Sequence, residues 1–128
     1  MYTKLQKNID DRGCLTVLDN LPFEPKRVFY VSDVPKGEIR GKHAHYRNKQ
    51  ILICISGIIE VKLDTGKTIN TTVLHEGESV FVNRLVWDEQ KYCTGNDILL
   101  SICSEDYDVG DYIKDYIRFK KIFAESPY

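Results

Sequence analysis

Short apolar runs alternate with turn signals along most of the chain. CLTVL (14–18), KRVFYV (26–31), QILICI (50–55), IIEVKL (58–63), TINTTVL (68–74), SVFVN (79–83), VWDEQKY (86–92) and DILLSIC (97–103) are short and rich in β-branched and aromatic side chains, which predicts strands rather than helices. Between them stand Pro35-Lys36-Gly37, Ser56-Gly57, Asp64-Thr65-Gly66, Glu76-Gly77-Glu78 and Thr94-Gly95-Asn96. Turns at that spacing are typical of sandwiches and barrels. KLDTGKTI (62–69) is the clearest hairpin, because glycine in Asp64-Thr65-Gly66 supplies the position that needs positive φ. After about residue 104 the period changes. Tyr112, Ile113, Tyr116, Ile117, Lys120 and Phe123 recur near helical spacing behind Asp108 or Asp111 as possible caps, predicting one short C-terminal helix over about 109–123. The opening dozen residues read equally as a strand or as an arm packed on another subunit.

Size and charge narrow the classes. At 128 residues the chain suits one domain spanning 1–128. Lys+Arg 18 against Asp+Glu 19, with no basic run interleaved with aromatics, argues against a nucleic-acid partner. No stretch of eighteen apolar residues occurs and the start, MYTKLQKNIDDRG, is polar, so no membrane span or secretory signal is expected and a cytoplasmic location is. Cys14, Cys54, Cys93 and Cys103 lack a CxxC pairing, which favours reduced thiols in or near the core over disulfides or a zinc cluster.

The chemistry concentrates in GEIRGKHAHYRNKQ (37–50). Residues i and i+2 of a strand share a face, so His43 and His45 present both imidazoles on one side, with Ala44 on the other. Such a pair suits metal binding or proton transfer near neutral pH. The spacing Gly37, five residues, His43, one residue, His45, four residues, Gln50, six residues, Gly57 resembles the first signature of the cupin superfamily, with Gln50 where glutamate is usual. The second signature resembles Gly77 to Asp88, but Asn83, Leu85 and Asp88 replace the usual proline, glycine and histidine. The resemblance implies an all-β, cupin-like jelly-roll barrel of two antiparallel sheets with a short C-terminal helix. An amide is a poor metal ligand. No metal is therefore expected, although His43, His45 and Asp88 could mimic a two-histidine, one-carboxylate triad.

A closer resemblance covers nearly the whole chain. RGKHAH (40–45), Gln50, VFY (28–30) and the aspartate- and tyrosine-rich tail at 106–116 are similar to the cupin-type sugar nucleotide 3,4-ketoisomerases. That resemblance implies a cofactor-free isomerase acting on dTDP-4-keto-6-deoxyglucose, on the way to 3-amino-3,6-dideoxy sugars of surface glycans. It also implies a homodimer that exchanges N-terminal strands (1–20), with His43 and His45 catalytic and Arg40 among the substrate contacts. Members commonly carry histidine after the tryptophan, where this chain reads Trp87-Asp88-Glu89.

Moving a ketone between neighbouring carbons needs a base with a pKa near neutrality. On this basis His45 moves the carbon-bound proton and His43 relays protons among oxygens. Arg40 suits a diphosphate, since guanidinium matches phosphate oxygens bidentately. Tyr30 suits an enediolate if it faces inward. Gln50 suits a sugar hydroxyl or an imidazole, Trp87 a stacking wall or a core position, and Asp88 a substrate contact. The competing classes are a metal-dependent cupin enzyme, a sugar nucleotide 3,5-epimerase and a non-catalytic sugar-binding cupin.

Overall fold

The structure, a computed structural model, describes residues 2–125. Twelve strands follow in order: β1 (Tyr2–Lys4), β2 (Gln6–Asp10), β3 (Gly13–Val17), β4 (Arg27–Val31), β5 (Ile39–His45), β6 (Gln50–Ser56), β7 (Ile59–Asp64), β8 (Ile69–Leu74), β9 (Glu78–Val82), β10 (Trp87–Tyr92), β11 (Ile98–Cys103) and β12 (Tyr112–Ile113). Helix α1 (Tyr116–Glu125) closes the described chain. Two five-stranded sheets, ordered β1-β9-β6-β11-β4 and β12-β5-β10-β7-β8, are antiparallel throughout, and β2 and β3 form a separate hairpin. This is the cupin-like double-sheet barrel expected from the sequence.

The sheets face each other across an apolar core of Leu52, Cys54, Val61, Leu74, Val80 and Leu99 with their neighbours. Alternation along each strand decides which residues enter it. On β6, Leu52 and Cys54 point inward, while Ile51 and Ile53 lie on the outer face, flanked by the β2–β3 hairpin and the segment that follows it. The hairpin itself is largely exposed, with Ile9 and Leu15 in solvent. Its cysteine, Cys14, is exposed, whereas Cys54 and Cys103 are buried, and all four thiols are free.

The C-terminal segment departs from the expected helix over 109–123. A 3₁₀ turn occupies Val109–Asp111, Tyr112 and Ile113 pair with His45 and Ala44 as a strand, and the helix starts only at Tyr116. The turn is capped by Asp108, whose side chain accepts from the Gly110 N–H, and Asp115 accepts from the Ile117 N–H at the helix start. Asp111 is not a helix-entry acid: buried, it accepts the backbone N–H groups of Arg47 and Asn48 and so fixes the loop after β5. Helix α1 lays Phe119 against Ala44, Leu85, Trp87 and Ile113, forming a second core behind the β5–β10 sheet. Leu85 sits there with φ 58°, a strain of about 1–2 kcal/mol for a residue with a side chain. Its burial, worth about 1.5–3 kcal/mol, offsets this, and its N–H closes on the His45 carbonyl at 2.7 Å.

One irregularity sets the register of β5. Asp88 pairs with His43 and Glu89 with Gly41, so Lys42 has no partner across the ladder. Gly41 (φ 86°) and Lys42 (φ 59°) are both left-handed, the geometry of a β-bulge. A Cβ on Gly41 would approach Asp88 Oδ1 to 2.9 Å and the Gln90 Nε2 to 3.0 Å. Gly41→Ala is therefore expected to destabilise the fold by about 1–3 kcal/mol. Urea unfolding followed by fluorescence of Trp87, the chain's one tryptophan, measures it; an unchanged midpoint would refute the role given to Gly41.

Candidate active site

Because Lys42 bulges out of the ladder, Arg40 and His43 share a face although three positions separate them. Arg40 lies opposite Gln90 and His43 opposite Asp88, and cross-strand partners point the same way. Tyr112, opposite His45, joins them. The rings of His43 and His45 stand 4.9 Å apart at 79°, and Tyr112 lies 5.1 Å from the first and 4.4 Å from the second. Across the barrel, Arg27 and Phe29 face inward opposite Cys103 and Ser101. The Arg27 guanidinium lies 4.8 Å from the Phe29 ring and 5.1 Å from that of Tyr107. Gln50 is buried between the sheets, its amide donating to Cys103 Sγ at 3.8 Å.

Hydrogen bonding differentiates the two histidines. His43 Nδ1 stands 3.1 Å from the Gly41 carbonyl, which can only accept, so Nδ1 carries the proton and Nε2 is left as the base. Nε2 faces Asp88 Oδ2 at 4.0 Å. His45 is buried and its Nε2 has no partner. Burial depresses both imidazoles. For His45 the neighbouring His43 and Arg27 add to burial, Asp111 opposes them, and its pKa falls to about 4. For His43 burial outweighs the Gly41 carbonyl, with Lys114 acting alongside burial. Burial thus favours the neutral form of both rings near pH 7, in which each offers a lone pair.

The carboxyl beside them is shifted the other way. Asp88 is wholly enclosed, and burial, the largest cause, lifts it to about 7; the Gln90 amide opposes that and Glu89 adds to it. Gln90 Nε2 donates to Asp88 Oδ1 and Gln90 Oε1 accepts from the Tyr92 hydroxyl at 3.1 Å, so a polar chain runs along β10 into the apolar core. Among the described residues, no group of three His, Cys, Asp or Glu side chains is arranged to hold a metal ion.

Of the residues expected from the sequence, His43, His45, Arg40, Gln50 and Asp88 reach the barrel interior or its rim. Two do not. Tyr30 is 69% exposed and lies opposite Leu100 on the outer face of the first sheet, so it cannot donate to an enediolate inside this barrel. Trp87 packs edge-on against Tyr116 at 5.2 Å and near Phe119, donating its N–H to Glu89, on the face opposite Asp88. It is a wall of the second core, not of the site. Arg27, Phe29, Tyr107, Gln90, Tyr112 and Lys114 were not singled out from the sequence. The alternation in KRVFYV holds a signal for two of them, since an arginine on the same face as Phe29 and Val31 marks an inward polar position. The helical spacing of the tail hid Tyr112.

Comparison with known proteins agrees with this geometry. The family model described as "FdtA: WxcM-like, C-terminal" matches residues 1–124. A TDP-4-oxo-6-deoxy-alpha-D-glucose-3,4-oxoisomerase from Aneurinibacillus thermoaerophilus is 36% identical, over 94% of this chain and 89% of that protein. Among solved structures, a histidine-to-asparagine mutant of the 3,4-ketoisomerase QdtA from Thermoanaerobacterium thermosaccharolyticum, in complex with TDP-4-keto-6-deoxyglucose, superposes with a TM-score of 0.92 at 29% identity, covering 99% of this chain and 95% of that one. A 3,4-ketoisomerase from Helicobacter canadensis gives 0.91 at 30% identity, covering 97% and 96%. With matches spanning both chains and a paired-imidazole site inside the barrel, this chain belongs to the FdtA family and is an isomerase.

Proposed function

We propose that the chain is a sugar nucleotide 3,4-ketoisomerase that converts dTDP-4-keto-6-deoxy-D-glucose to a dTDP-3-keto-6-deoxyhexose, supplying the precursor of a 3-amino-3,6-dideoxy sugar. The observation that carries this reading is the pair of differently hydrogen-bonded imidazoles of His43 and His45, 4.9 Å apart on one inward face, in a chain whose relatives are named for that chemistry.

In the scheme, His45 Nε2 removes the proton from C3, and the electron pair moves into a C3–C4 double bond as the C4 oxygen becomes a hydroxyl. Returning the proton to C4 while the C3 oxygen loses its own completes the exchange. A neutral base with no committed partner suits the first step. His43, held by the Gly41 carbonyl, moves protons between the oxygens. Arg40, exposed on the same face of the site, suits the diphosphate, and Gln50 a sugar hydroxyl. A substrate that reaches His45 Nε2 must stack on or displace Tyr112, whose ring lies 4.4 Å away. The barrel as such is shared by many activities, so the assignment rests on the site.

The homodimer with exchanged N-terminal strands belongs to the same proposal. It is supported by apolar side chains left in solvent on the hairpin, Ile9 and Leu15, and on the outer sheet face, Val28 and Tyr30. Sedimentation is expected to give a dimer that dissociates when residues 1–20 are removed; a monomeric full chain would contradict it.

Incubation with dTDP-4-keto-6-deoxyglucose in deuterated water, followed by NMR, should give a 3-keto product with deuterium at C4. His45→Asn should lower the rate by at least about 100-fold while the nucleotide sugar still binds; an unchanged rate would remove His45 from catalysis. Since burial holds both imidazoles below their ordinary value, His45 at about 4, the acid limb of kcat/KM is expected to lie below pH 6.5. A fall centred near 6.5 would show an ordinary solvated imidazole.

A further inference from the structure

The two-histidine scheme leaves one feature of the site unused. Asp88 is 0% exposed, its Oδ1 is held by the Gln90 amide, and its Oδ2, like His45 Nε2, has no hydrogen-bond partner. A bare carboxylate oxygen in such a place carries a penalty of several kcal/mol. A neutral carboxyl avoids the penalty but brings a hydroxyl that needs an acceptor. The acceptor facing it is His43 Nε2 at 4.0 Å, whose lone pair is free because Nδ1 binds the Gly41 carbonyl. Closing that gap to a hydrogen bond takes roughly 1 Å of ring or carboxyl movement.

We propose that Asp88 and His43 share a single proton, which the pair lends to the substrate's C4 oxygen through His43 Nε2 and recovers from its C3 hydroxyl. The inference deepens the isomerase reading above and rests on it. Asp88 is sealed from solvent beside His43, and its role is that of a positioning residue that acts through His43. The groups around it fit a neutral acid. His43 faces it from β5 and Leu63 from β7, Gln90 and Tyr92 lie on its own strand, and Arg40, the cation on that face of β5, is paired with Gln90 and not with Asp88. Glu89 is the charged neighbour that raises its pKa, and Lys114 lowers that of His43. Below about pH 7 the proton therefore sits on the carboxyl at rest.

The steps balance. As His45 takes the C3 proton, the shared proton passes from Asp88 Oδ2 to His43 Nε2, the ring tilts that N–H from the carboxylate toward the sugar, and the C4 oxygen takes it. This leaves a neutral enediol, imidazolium His45, neutral His43 and carboxylate Asp88. The C3 hydroxyl then returns its proton to the pair as His45 protonates C4 and the C3 ketone forms. The site keeps the same net charge throughout, which spares it an uncompensated ion in a low-dielectric interior. It also explains how a neutral amide at Gln50 and no cation at position 88 suffice.

The test uses the full chain. In its infrared spectrum, without substrate, a neutral-carboxyl stretching band is expected at about pH 6, lost as pH rises through about 7, and absent from Asp88→Asn. That variant keeps the size of the side chain and removes the proton. With substrate, Asp88→Asn should turn over about 100-fold more slowly while deuterium still enters C3 of recovered substrate, so that the ratio of exchange to turnover rises at least about tenfold. The unaltered protein is expected to lose kcat as pH rises through about 7, as Asp88 gives up its proton, and that loss should vanish in the variant. A variant with unaltered kcat and pH profile, or an unaltered protein without the band, overturns the proposal. Should Asp88→Asn fail to fold, the infrared titration of the unaltered chain decides alone. If that chain converts no dTDP-4-keto sugar, the isomerase reading falls, yet the band still reports whether the proton is held.

Discussion

Lys42 sits at φ 59° beside Gly41 at φ 86° and has no cross-strand partner, and at that point the inside–outside alternation of β5 is reset. In an unbroken strand Arg40 and His43 would lie on opposite faces. The extra residue puts a cation and two imidazoles on one face, opposite Asp88 and Gln90. The same turn brings the Gly41 carbonyl to 3.1 Å from His43 Nδ1. One backbone irregularity thus fixes both which groups meet and which tautomer His43 adopts. Bulges are often found beside active sites for this reason.

The inside of the barrel is held in place from the outside. Ala44, pointing away from the histidines, is buried under Phe119 and Ile113, so helix α1 presses on the back of the strand whose front carries His43 and His45. Asp64 ties the helix to β7 through the Tyr116 hydroxyl. Asp111 holds the loop leaving β5 through three donors. Trp87 belongs to this support: its ring fills the gap between sheet and helix, while its neighbour Asp88 points the other way into the barrel. Adjacent residues on β10 serve two cores, and substitutions at either are expected to reach the site by different routes.

Much of this was legible in the residues. Runs of β-branched side chains cut by glycine turns predicted the strands, and the spacing in GKHAH put both imidazoles on one face, because those inferences need only the period of a strand. What the sequence hid depended on tertiary context. Tyr112 and Ile113 have helical spacing with Tyr116 and Phe119, yet they pair with β5 because that strand's free edge offers hydrogen bonds. Tyr30 and Arg27 lie on opposite faces of one strand, and the sheet's packing makes the arginine face the inner one, as the alternation with Phe29 and Val31 already hints. Asp88 looked like a worn signature position; its meaning lies in burial, which no local pattern displays.

The oppositely shifted titrations of His45 and Asp88 have a consequence for how the molecule withstands acid. Between about pH 4 and 6.5 the native site holds one proton on Asp88 and none on His45, whereas an unfolded chain holds none on the aspartate and one on the histidine. Stability gained from the depressed histidine, present above its unfolded value, is lost as pH falls toward 4. Stability tied to the raised aspartate is fully present below its unfolded value and lost as pH climbs toward 7. Across their common window the two slopes cancel, because unfolding merely relocates a proton without taking up or releasing one. Of His43, His45 and Asp88, His43 alone then contributes a net slope of stability with pH across that window, with its stability lost as pH falls below the ordinary imidazole value.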